Sequence, residues 1–179
     1  YQPLMTATET DANHHWTLLN YGFRSFFLLA GLFAVIAIVA WLAVLHGKTW
    51  FGSPANPVLW HAHEMLFGFV GAAIAGFLLT AVPMWTSLPP LQGTKLGVLV
   101  GTWLAGRLVM AISGMLSGTL VALIELLFPT LLAIVIMRTL IATGNKRNYI
   151  LGVIVALFPL ADGIYHLGQL ELLAGAQYI

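Results

Sequence analysis

The chain has no cysteine and little charge: Asp, Glu, Lys and Arg together make up 7% of its 179 residues. Without thiols, disulfides, thiolate haem ligation, iron–sulfur clusters and Cys-based zinc or copper sites are all excluded. Seven basic residues against six acidic ones give a formal net charge of +1 and no basic patch, so nucleic acid is not an expected partner. A signal peptide is not visible either. The chain opens on Tyr1, not Met, and residues 1–20 are polar, include Glu9, Asp11, His14 and His15, and read as a tail or interfacial segment.

What is abundant is apolar sequence, 60% of the chain, in runs long enough to cross a bilayer. Runs of about 20 apolar residues are transmembrane helices rather than a soluble core. The expected fold class is all-α, a polytopic bundle of five spans near 23–45, 58–83, 96–113, 119–142 and 149–170. Helices are favoured over barrel strands because apolar residues fill these runs instead of alternating with polar ones. Gly52, Pro54 and Pro57 break the first loop, Pro89-Pro90 the second and Gly114 with Gly118 the third, while Pro159 predicts a kink in the last span. Arg24, Lys95, Arg138, Lys146 and Arg147 share one side of this bundle, against Lys48 on the other. Basic short loops stay in the cytoplasm, which places the N-terminus inside.

With that orientation the intramembrane ionisable groups gather in the outer leaflet. His46 ends the first span; His61, His63 and Glu64 begin the second; Arg107, Glu125, Asp162 and His166 lie at similar depth on the other three. Such groups are costly beside lipid and are functional candidates by default. On an ideal helix His61 shares a face with Glu64 and Met65, whereas His63 lies about 200° from His61. Either the helix is irregular there and both imidazoles converge, or they serve two sites. Asp162 and His166, four residues apart, stack on one face, as in a carboxylate–histidine–metal arrangement, a proton relay or a buried hydrogen-bonded couple. Neutral imidazole suits haem iron and copper, so His61 or His63 together with His166 is the expected ligand set. Arg107 and Glu125 are expected to fasten their hairpin as a buried ion pair, with an Arg107–haem propionate contact as the alternative. Gly68, Ala72 and Gly76 form a small face suited to close helix packing or to a flat macrocycle.

Trp60-His61-Ala62-His63-Glu64-Met65-Leu66-Phe67-Gly68-Phe69, followed by residues 76–83 from Gly76 to Pro83, resembles the signature of the NnrS family. The stretches from Gly22 to Ala30, Leu104-Ala105-Gly106-Arg107 and Gly144 to Tyr149 resemble it too. The resemblance implies a multi-pass protein of the bacterial inner membrane that binds haem, of b-type, and copper, and is associated with denitrification and nitric-oxide tolerance. It carries over Arg24, His61, His63, Glu64, Arg107 and His166. Of these, His61, His63, His166 and Arg107 are candidates for the cofactor and His61, His63, Glu64 and His166 for metal, with Asp162, Glu125 and Arg24 in supporting or structural roles. Family members are about twice as long, so the chain reads as an N-terminal half, a short paralogue or one subunit, with a further membrane chain or respiratory complex as partner. Ser25 and Met84 stand where the family pattern has Pro and Asn. Two other classes fit the same residues: a cofactor-free accessory subunit of a respiratory complex, and a proton-coupled transporter using Glu64, Asp162 and His166.

Overall fold

The computed structural model describes residues 18–50 and 53–176, with side chains to residue 170. Among the described residues there is helix and no strand. The protein is an integral membrane helix bundle. Five rods run through it: α1 (Gly22–Leu45); a long second rod made of α2 (Pro57–His63), a π-helical segment (Glu64–Val70) and α3 (Gly71–Thr86); α4 (Gly93–Ala111); α5 (Gly118–Glu125) continued by α6 (Leu127–Ala142); and α7 (Tyr149–Ala176). All but α4 are long and apolar enough to cross a membrane; α4 has 19 residues and carries Lys95 and Arg107.

Local chemistry explains where these rods start and break. Pro57 occupies the first turn of α2, where its missing N–H costs nothing, and the Asn56 side chain accepts from the Leu59 N–H at 3.1 Å. Ser117 caps α5 in the same way through the Leu120 N–H. The seam between α5 and α6 falls at Leu126, because Pro129 has no N–H to offer the Glu125 carbonyl. Thr80, Thr139 and Thr143 return their hydroxyls to the carbonyl four residues back, which satisfies them without help from water.

Two loop ends define the bundle's polarity. At one end the Trp50 indole donates to the Ala111 carbonyl at 2.7 Å, tying the α1–α2 loop to the end of α4. At the other, Asn145 Nδ2 donates to the Trp85 carbonyl at 3.2 Å, tying the end of α3 to the α6–α7 turn. Arg24 lies at this second end, over the rings of Tyr21 and Phe23.

The core runs along the middle of the bundle, where Phe26, Leu78, Leu79, Val82, Leu96, Leu99, Trp103, Phe128, Leu132, Ile136 and Leu140 are buried. Lipid is as apolar as these side chains, so tight approach rather than exclusion from water holds the rods together. Small residues permit it. A methyl added to Gly22 would stand 2.6 Å from Leu79 Cβ, and one on Gly76 would stand 3.1 Å from Phe27 Cδ1. The Gly68–Ala72–Gly76 face is thus filled by α1 and its phenylalanines: Phe33 packs at Gly68 and Phe26 with Phe27 at Gly76. The outward side of α1, with Leu32, Val35, Ile36 and Val39, is left to lipid.

Candidate metal centre

The π-helical segment determines what the second rod presents. It packs against α1 and α4, and the Trp103 indole donates to the Gly68 carbonyl at 3.1 Å, holding the widened turn against α4. Such wide turns recur at functional sites because they re-aim side chains within an otherwise regular helix. Gly68 has no side chain where the Arg107 guanidinium and the Phe33 ring press against the backbone; a methyl there would collide with both.

Just before that segment, His63 points into the bundle and His61 does not. The ring of His61 stacks on Trp41 of α1, centroids 4.3 Å apart and planes 9° from parallel, with its Nδ1 buried and unpartnered. The two histidines therefore serve different places, the second of the two options that their spacing left open. The reason is plain helical geometry: two residues apart, they face opposite sides.

His63 is the hub of a buried polar cluster. Its Nδ1 lies 3.2 Å from Glu64 Oε1, and its Nε2 lies 2.9 Å from Asp162 Oδ1 and 4.0 Å from Glu125 Oε2. His166, one turn beyond Asp162 on α7, brings its Nε2 to 3.4 Å from the same Asp162 oxygen. Arg107 of α4 reaches in from the opposite side, with Nη1 3.0 Å from Glu64 Oε1 and Nη2 bonded to Glu125 Oε2. Glu125 comes this close because Gly106 leaves room: a methyl on Gly106 would stand 2.8 Å from Glu125 Oε1. Tyr165, Phe67 and His166 wall the His63 ring at centroid distances of 4.5, 4.9 and 5.4 Å.

The anticipated Arg107–Glu125 pair is present, but it is part of this larger network rather than a simple fastening of one hairpin. Glu64, expected among the metal ligands, stands one layer out. Its Oε1 is occupied by His63 and Arg107, while Glu125 and Asp162, expected in supporting roles, turn their oxygens toward His63 Nε2. The donor atoms of His63, Glu125, Asp162 and His166 all lie within 4.8 Å of one another, and all four residues are buried. Arg24 lies at the other end of the bundle, and His46 is exposed, its Nδ1 2.7 Å from the Leu42 carbonyl oxygen. His14 and His15 lie outside the described residues. Tyr165 did not stand out in the sequence, and Gly106 entered only as part of the Leu104–Arg107 stretch; adjacency to His166 and Arg107 was the available signal.

Protein side chains alone leave several polar atoms of the cluster unpaired. Three carboxylates, Glu64, Glu125 and Asp162, face one guanidinium, all of them at most 9% exposed. A neutral imidazole has one N–H and can donate to only one of the two carboxylates at its ring nitrogens. Glu125 Oε1, Asp162 Oδ2 and His166 Nε2 are buried without a hydrogen-bond partner, and groups left so are expensive unless something fills the gap. A cation between the donors would supply both charge and partners. Two imidazoles with two carboxylates suit a borderline divalent ion such as copper(II), zinc or ferrous iron, and no thiolate or thioether is present in the set to favour copper(I). Ligand atoms about 2.0–2.2 Å from one ion stand closer together than 4.8 Å, so the set would close inward slightly around it.

A haem does not fit these residues. Carboxylates meet both nitrogens of His63, aromatic rings wall its sides, and the cavity reaching His166 has a volume of about 220 Å³. Pockets for organic ligands much smaller than a haem already start near ~300 Å³.

A search of curated proteins and one of solved structures return no match. Residues 17–179, which take in the whole bundle and the whole cluster, match the family described as NnrS protein. With its fold, its histidine motif and its site all inside that span, the chain belongs to the NnrS family.

Proposed function

We propose that the chain binds one divalent transition-metal ion, copper(II) foremost, at His63, Glu125, Asp162 and His166, and acts through it in nitric-oxide or related respiratory metabolism. The observation that carries this is the convergence of four buried donors from three rods on one point, with unpaired oxygens and excess negative charge. Family membership is consistent with a membrane protein linked to nitric-oxide metabolism. Copper leads the order because divalent affinity for nitrogen and oxygen donors peaks there.

When bound, copper would supply a one-electron redox centre able to take small nitrogen oxides as ligands. The chain's own residues have separate tasks. Glu64 accepts the His63 Nδ1–H, which leaves the Nε2 lone pair for the ion and fixes the ring's orientation. Arg107 holds Glu64 and Glu125 in place and offsets part of their charge. Phe67 and Tyr165 keep water off the His63 ring. The basic residues at the far end orient the bundle with this site toward the periplasm of a bacterial inner membrane.

Metal content of the purified protein tests the reading, together with the electron-paramagnetic spectrum of its copper form. One ion per chain is expected, with nitrogen hyperfine structure from two imidazoles, and His63→Ala should lose it. Wild-type protein that binds neither copper, zinc nor iron would sink the proposal. A reduced-minus-oxidised visible spectrum on the same sample tests separately for haem.

A further inference from the structure

At the loop end, a cavity of about 220 Å³ opens between the α1–α2 loop and the α4–α5 turn, and His166 lies in its wall. Asn56, Ser113 and Leu116 line it on the side of the loops, Tyr165 and Gln169 on the side of α7. None of its lining residues is a lysine or arginine, and beyond it lies the cluster with its excess of carboxylates. A single water needs only about 10–15 Å³ of such space, so the cavity has room for several waters.

A second cavity suits a charged species less well. The larger cavity at the opposite end is walled mainly by Leu79, Val82, Pro89, Leu91 and Ile136. Between it and the cluster lie Phe128, Leu132 and Ile136, each at most 3% exposed. Sideways lies lipid. Of the two, only the loop-end cavity brings polar side chains up to a donor of the cluster.

We infer that this cavity is the inlet through which a hydrated divalent cation reaches the His63–Glu125–Asp162–His166 site, with Gln169 and Tyr165 as groups it passes while shedding water. The inference rests on the metal reading and adds to it a route. An inlet that is not part of the site controls rates and leaves equilibrium alone: narrowing it slows loading and release equally.

The absence of native cysteine provides a clean test. Ser113→Cys places a single thiol in the loop-side wall of the cavity, and the same folded chain can then be capped with a small methylthio group or a bulky maleimide. Copper(II) loading of the chelator-treated protein is followed by quenching of tryptophan fluorescence in stopped flow. The bulky cap should slow association and dissociation by about tenfold each, within the one to three decades over which such rates vary, with Kd unchanged. Equal rates under both caps, with metal bound normally, would overturn the inlet and leave the metal site standing. A Kd that weakens while association stays fast would also overturn it, placing Ser113 in the site itself. Failure of the uncapped wild type to bind copper, zinc or iron would remove the metal reading and the inlet together.

Discussion

Arg107→Met is the most informative single change, because it removes the one guanidinium that faces three buried carboxylates. Its two terminal nitrogens are divided between Glu64 and Glu125, and its side chain is 9% exposed against 1% for each partner. An exposed ion pair is worth at most about 1 kcal/mol. Breaking a buried one strands an uncompensated charge and costs about 3–5 kcal/mol. The burial here selects the second figure, a large share of a total stability of about 5–15 kcal/mol. Methionine keeps much of the volume, so little of the loss would come from a void. The measurement is unfolding of the chelator-treated protein in mixed micelles with increasing SDS, followed by helical circular dichroism. Because the damage is stranded charge, adding Glu125→Gln to Arg107→Met should recover part of it, with a coupling inside the range of about 0.5–3 kcal/mol seen for contacting residues. A loss below about 1 kcal/mol, or strict additivity of the two changes, would refute the claim that Arg107 holds the cluster.

Gly106→Ala should cost about 1–3 kcal/mol by overpacking, since its methyl would stand 2.8 Å from an oxygen of Glu125 whose other oxygen is bonded to Arg107. Gly101→Ala on the same helix meets nothing within 4 Å and should be neutral or gain up to about 1 kcal/mol of helix propensity, and the same SDS titration compares the two. His61→Ala should retain the metal that His63→Ala loses, because His61 packs on Trp41 outside the donor set; equal loss in both would show that the two rings share one ion.

The membrane bundle was legible from apolar run lengths alone, and the depth of the ionisable groups followed from counting residues along each run. Arg107 with Glu125, and Asp162 with His166, were readable as pairs because helix spacing or matching depth brings each together. The assembly of both pairs around His63 was not readable. It depends on how α4, α5 and α7 rotate about their axes, which is fixed by close contacts such as Gly22 on Leu79 and Trp103 on the Gly68 carbonyl. Regular periodicity pairs His61 with Glu64, whereas the structure pairs His63 with its immediate neighbour at the start of the π-helical segment. No residue type announces that segment, so a 3.6-residue count carried through it misassigns faces.

The depth of the cluster has an electrical consequence. His63 lies six residues beyond Pro57, about 9 Å along the helix, or roughly a third of a ~30 Å hydrocarbon layer. A charge crossing the whole layer gains about 2.3 kcal/mol per 100 mV. A divalent ion drawn from the periplasm to this depth would thus gain about 1.5 kcal/mol in an energised membrane, about tenfold in affinity. Copper binding to protein in liposomes, with and without an imposed potassium diffusion potential, measures that gain; equal affinities would mean that the site lies outside the field. With the proposed ion bound and the site facing the periplasm, occupancy of the centre would report on the membrane potential itself, and a cell that lost its potential would loosen its hold on the metal.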